Sequence, residues 1–118
     1  MTDVQQALTE EYTAMPVTVV ATMKAKPESV DAVRDACRKA IEAVHSEPGC
    51  DLYSLHESDG TFVFVEQWAD TDALTAHSQA PAVAELFGTV GELLDGAPDI
   101  KMLQPVVAGD PAKGALRP

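Results

Sequence analysis

Two runs rich in β-branched and aromatic residues, Leu52-Tyr53-Ser54-Leu55-His56 and Thr61-Phe62-Val63-Phe64-Val65, flank Ser58-Asp59-Gly60. An Asp-Gly pair between such runs is a strong hairpin signal, because the tight turns that match strand twist need left-handed backbone. An antiparallel hairpin therefore sits near the middle of the chain, and the rest must pack on it. Upstream, Val17-Thr18-Val19-Val20-Ala21-Thr22-Met23 reads as a strand that Pro27 ends. Ser29 or a neighbour is placed to cap a helix with Val30, Val33, Cys37, Ala40, Ile41 and Val44 at helical spacing, and Pro48-Gly49 stops it.

Downstream of the hairpin, Asp70 or Thr71 is placed to cap a short helix running to about His77. Pro81 suits the first turn of a second helix, whose stripe is Val83, Leu86, Phe87, Val90, Leu93 and Leu94. Gly96 and Pro98 are expected to end it, and Ile100 to Val107 reads as a last strand. Pro105 within that strand points to a sheet edge or to the strand's end. The order β-α-β-β-α-β, with the second helical region in two pieces, is the split βαβ or ferredoxin-like arrangement. It predicts an α+β fold with an antiparallel sheet and helices on one face. The strands are apolar on both sides, so the other face also needs a cover, and a second subunit is the simplest one.

The folded domain is expected over residues 16–107, with an N-terminal extension over 1–15 and a Gly- and Pro-rich C-terminal tail over 108–118. A chain of 118 residues is one domain, and its 46% hydrophobic content suffices for a core. Nineteen acids against eight Lys and Arg give a formal charge of −11, which argues against nucleic acid and anionic membranes as partners. No apolar run approaches the ~18 residues of a membrane span. The first residues, Met1-Thr2-Asp3-Val4-Gln5, lack a basic and an apolar signal region, so a cytoplasmic protein is expected, with Cys37 and Cys50 as free thiols.

No GxGxxG or GxxxxGK[ST] pattern occurs, nor HExxH, paired CxxC or GxSxG. The sequence thus supports no nucleotide cofactor, no metal and no nucleophile elbow. Its most chemical stretch is Glu66-Gln67-Trp68-Ala69-Asp70, followed by Ala73-Leu74 and His77. It holds the single tryptophan and falls where a strand hands over to a helix. An indole near a histidine suits a small apolar pocket with one titratable group, and it suits a core anchor equally well.

These residues resemble a known family. Val19-Val20-Ala21, Glu47-Pro48-Gly49-Cys50, Val65-Glu66-Gln67-Trp68 and Ala73-Leu74-Thr75-Ala76-His77 with Pro81 are similar to the antibiotic biosynthesis monooxygenase (ABM) domain, over about residues 17–107. The resemblance implies a dimeric ferredoxin-like fold, a dimeric α/β barrel. Some family members oxidise quinols or polyketide phenols with molecular oxygen and no cofactor, others degrade haem, and one branch processes a phosphorylated sugar. Haem degraders rely on an Asn, and this chain has none. Polyketide oxidisers place polar residues around the tryptophan that matches Trp68, where this chain has Phe64, Leu74 and Phe87.

The remaining reading is a cofactor-independent monooxygenase acting on a small quinol or phenol with O2, as a homodimer. Its rivals are an isomerase or processing enzyme for a small oxygenated metabolite and a non-catalytic small-molecule-binding dimer. Histidine suits the base, since its unperturbed pKa of ~6.5 lies near working pH. The candidates are His77 or His56 as base and Trp68, Phe62, Phe64 and Phe87 as walls, with Glu66 beside them. Each has a plainer role. Trp68 would anchor the core or the dimer, His77 would cap its helix, and His56 would face solvent or an interface. Glu66 would pair across the dimer or orient a histidine, and His45 would be a surface cap.

Overall fold

Strands β1 (Val17–Lys24), β2 (Cys50–Ser58), β3 (Thr61–Trp68) and β4 (Asp99–Leu103) form one antiparallel sheet in the order β2-β3-β1-β4. Helices α1 (Val30–His45), α2 (Thr71–Ser78) and α3 (Pro81–Val90) pack on one face. This computed structural model describes residues 15–117; the extension expected over 1–15 lies, except for Met15, outside them. The architecture is ferredoxin-like α+β, as the element order predicts.

The central hairpin closes through Asp59 and Gly60, both left-handed with φ of 47° and 79°, and Ser58 pairs with Thr61. Inward residues alternate along each strand, as strand geometry requires. Val19, Ala21 and Met23 on β1 meet Glu66, Phe64 and Phe62 on β3, with Tyr53 of β2 opposite Glu66. The other face carries Val20 of β1, Val63 and Val65 of β3 and Ser54 and His56 of β2.

Val33, Cys37, Ala40 and Val44 of α1 are buried, the stripe its spacing predicts. A short 3-10 turn, Pro27–Ser29, leads into it, and Ser29 occupies the cap position with no side-chain hydrogen bond. Asp70 does cap α2: its Oδ1 accepts from the Ala73 N–H at 2.8 Å. Pro81 opens α3 as expected, but the helix ends at Val90. Beyond it the chain turns to pair with the end of β1: the Lys26 N–H donates to the Leu93 carbonyl and the Asp95 N–H to that of Lys24. Leu94 still reaches the core from this turn. β4 is an edge strand and stops at Leu103, two residues before Pro105, which has no N–H to give a ladder. Val106 and Val107 are exposed. No helix of the described residues is long and apolar enough to cross a membrane.

Candidate active site

Between the sheet and helices α2 and α3 lies a cavity of about 420 Å³. Its floor is β1, β3 and β4, through Val19, Ala21, Met23, Phe64 and Met102. Its roof is Leu74 of α2 with Val83, Leu86 and Phe87 of α3. Its buried polar groups, Glu66 of β3, Tyr53 of β2 and His77 of α2, converge on one another, and Thr71, Thr75 and Ser78 of α2 also line it.

This convergence starts with a turn. Pro48 and Gly49 occupy the centre of the Glu47–Cys50 turn, whose Cys50 N–H donates to the Glu47 carbonyl at 3.2 Å. Gly49 has φ of 79°, and a Cβ there would stand 2.5 Å from the Ala73 Cβ. Only glycine meets both demands, the left-handed backbone and the close approach. The Gly49 carbonyl also accepts from the Ala69 N–H at 2.8 Å, which locks the turn onto the β3–α2 junction. Glu47 is thereby carried to α2, and its Oε1 lies 2.8 Å from Nδ1 of His77.

A carboxylate only accepts, so Nδ1 of His77 donates, and in the neutral ring Nε2 presents its lone pair on the other side. There Nε2 stands 3.9 Å from Oε1 of Glu66. That distance is too long for a hydrogen bond, so the two interact through space. Oε1 of Glu66 instead accepts from Nε1–H of Trp68 at 3.0 Å. The indole lies against the imidazole, with ring centres 4.3 Å apart. Tyr53 completes the cluster, stacked on Phe64 at 4.5 Å and edge-on to His77 at 5.5 Å.

Burial pushes the Glu66 carboxyl up to about 7; the Trp68 hydrogen bond opposes this and the charge of Glu47 adds to it. Burial, then the charge of Glu66, holds the Tyr53 hydroxyl well above its usual range, so it stays a neutral phenol. Oε2 of Glu47 is buried with no hydrogen-bond partner among the described residues. Glu47 and Glu66 lie on opposite nitrogens of one ring and share no common centre. Among the described residues no group of three His, Cys, Asp or Glu side chains is arranged to hold a metal ion.

Of the residues singled out from sequence, His77, Glu66, Phe64 and Phe87 line the cavity. Trp68 is fully buried and does not line it; it backs His77 and holds Glu66. Phe62 is buried at the far end of β3, under the guanidinium of Arg34 at 5.9 Å, and lies outside the cavity. His56 is exposed on the opposite face of the sheet, with Nε2 2.8 Å from Oγ of Ser54. The structure therefore separates the two candidate bases. His45 is also exposed and bonds the Tyr53 carbonyl at 3.0 Å. Two participants, Glu47 and Tyr53, were not singled out. Tyr53 had a signal in alternation, since it lies opposite Glu66 in the ladder.

An apolar chamber with an imidazole and a carboxyl in its wall has the general make-up of a small-molecule pocket. The profile of the antibiotic biosynthesis monooxygenase family matches residues 16–88, and the chain belongs to that family. It is 31% identical over 93 residues to Rv0793 of Mycobacterium tuberculosis, a protein named provisionally as a monooxygenase; the match covers 77% of this chain and 92% of that one. The solved structure of Rv0793 superposes with a TM-score of 0.75 at 30% identity, covering 80% and 99% of the two chains. A Caulobacter crescentus structure, described provisionally as an antibiotic biosynthesis monooxygenase, superposes equally well at 0.75 with 28% identity, over 85% and 98%. An uncharacterised protein of Synechocystis, sll1783, is 33% identical over 90 residues, which is 74% of this chain but only 61% of that longer protein.

Proposed function

We propose that the protein is a cofactor-independent monooxygenase that oxidises a small quinol or phenol with O2. The observation that carries this reading is His77 at the wall of the apolar cavity, its Nδ1 held by Glu47 and its Nε2 free to accept. Ground-state oxygen reacts slowly with closed-shell molecules, but a phenolate can donate one electron to it. The protein then has to hold the ring in a dry space and take a proton.

In this scheme Nε2 of His77 takes the hydroxyl proton of a bound hydroquinone. The phenolate passes one electron to O2, and the resulting radical pair joins at a ring carbon as a C–O bond. The hydrogen of that carbon then passes as a proton to the distal oxygen, and the C–H electron pair forms the new C=O. The O–O bond breaks to release hydroxide, and His77 returns its proton to that hydroxide as water. Hydroquinone and O2 become hydroxyquinone and water: four electrons leave the ring, one oxygen atom stays on it and the other leaves as water. The positive charge that the imidazole acquires sits between Glu47 and Glu66. Leu74, Phe64 and Phe87 supply the apolar walls.

The assembly proposed is a homodimer formed through the sheet face away from the helices, where half-buried Val20, Val63 and Val65 cluster. The test is oxygen uptake with a panel of hydroquinones, without added cofactor and with a chelator present. Uptake that vanishes in His77→Ala supports the scheme. Ligand-induced thermal stabilisation without turnover would replace it with a binding protein. Product formation without oxygen uptake would replace it with an isomerase.

A further inference from the structure

With Glu66 ionised, the buried polar groups of the cavity are mostly acceptors whose own hydrogens are already committed. His77 gives Nδ1–H to Glu47, so in the neutral ring Nε2 offers only a lone pair. Glu66 receives Trp68 and has no hydrogen of its own once ionised. The hydroxyl of Thr75 donates to the Thr71 carbonyl at 3.0 Å, and that of Ser78 to the Thr75 carbonyl at 2.7 Å. Both residues line the cavity but are exposed, so water can satisfy their lone pairs, and the buried acceptors are those of His77 and Glu66. The hydroxyls of Tyr53 and Thr71 can turn either way and do not tip the balance. Among the described residues no Lys or Arg lines the cavity, and the chain carries a formal charge of −11.

From this we infer that the cavity selects uncharged or cationic aromatic ligands that bring hydrogen-bond donors, and rejects both donor-free analogues and anions. The inference rests on the cavity being the ligand site proposed above, and it adds what that site recognises. A buried acceptor facing a ligand that cannot donate is left unpaired, which costs more than the bond is worth when made. A carboxylate or phosphate would meet the Glu66 carboxylate with no Lys or Arg to offset it. A reduced diol carries two O–H donors and the corresponding dione none, so the same lining favours the reduced form. A substrate that is consumed by oxidation is thereby held more tightly than a product that has lost donors.

Redox-inert probes test this without any oxygen chemistry. Calorimetric titration at pH 8, where Glu66 is ionised, compares 2,7-dihydroxynaphthalene, 2,7-dimethoxynaphthalene and 3-hydroxy-2-naphthoate. The diol is expected to bind at least about tenfold tighter than either of the others. Glu66→Gln turns an acceptor into a group that also donates, and should narrow the gap between diol and dimethyl ether; a merely steric preference would leave that gap unchanged. Equal binding of diol and ether, tighter binding of the carboxylate, an unmoved gap in the variant, or no binding of any probe would each overturn the inference. Binding in the expected order with no oxygen uptake on any hydroquinone would sink the oxygenase reading alone.

Discussion

The two halves of the helix-covered face are built from the same strands and end differently. Under α1 the layer is solid: Val33, Cys37 and Val44 are fully buried, as is Phe62. Under α2 and α3 it is hollow, with about 420 Å³ left above β1 and β4. The cause is in the helices. α1 has 16 residues and lays a continuous apolar stripe on the sheet. α2 has only 8, and the side it turns to the cavity mixes Leu74 with Thr71, Thr75, Ser78 and His77. A long amphipathic helix fills; two short ones joined by a turn leave room. The packed apolar side chains lie in the first half and the cavity with its titratable groups in the second.

That contrast can be broken at its solid end first. Phe62→Ala should cost about 3–5 kcal/mol in chemical denaturation, because a fully buried ring leaves a void. Phe87→Ala, on the already hollow side, should cost about 1–2 kcal/mol and alter ligand affinity instead. Equal costs would mean that the cavity is filled in solution. At the hollow end, His77→Ala should lower oxygen uptake with hydroquinone at least about 100-fold, the usual worth of a positioned base.

Gly49 joins the two halves. Gly49→Ala should destabilise by about 2 kcal/mol, since it strains a backbone at φ of 79° and pushes on Ala73. It should also loosen Glu47 from His77, visible as a change in the His77 ring resonances.

Glu66 gives the hollow half a pH signature. Its carboxyl is raised from 4.5 to about 7, so the folded chain holds a proton that the unfolded chain releases between those values. Its contribution is therefore fully present below about pH 4.5 and is lost as pH rises to about 7. Glu66→Gln keeps an acceptor for Trp68 and cannot titrate. Its stability relative to the parent should rise across that window, by on the order of 2 kcal/mol. A parallel pair of pH curves would show that the carboxyl is well solvated. The smallest effect belongs to His56→Ala, within about 0.5 kcal/mol, because the ring is exposed on the outer face.

Much of this was readable because it is local. The hairpin follows from Asp59-Gly60, the α2 cap from Asp70 and the start of α3 from Pro81. Phe64, Glu66 and His77 emerge from one contiguous stretch around the β3–α2 junction. Glu47 was not readable as a partner of His77, since 30 residues separate them and only the docking of a left-handed Gly49 on Ala73 brings them together. His56 and Tyr53 illustrate parity. They are three apart on one strand, so one facing in forces the other out. The early end of α3 depended on long-range pairing of Leu93 and Asp95 with the end of β1, which no helical period reports.

The central claim is that the hollow half holds a ring while O2 reacts with it beside His77. Turnover of a hydroquinone under ¹⁸O2, with products read by mass spectrometry, tests it most directly. The account predicts one labelled oxygen in the hydroxyquinone, one in water, and loss of both in His77→Ala. An unlabelled quinone accompanied by hydrogen peroxide, formed equally well by the variant, would contradict it.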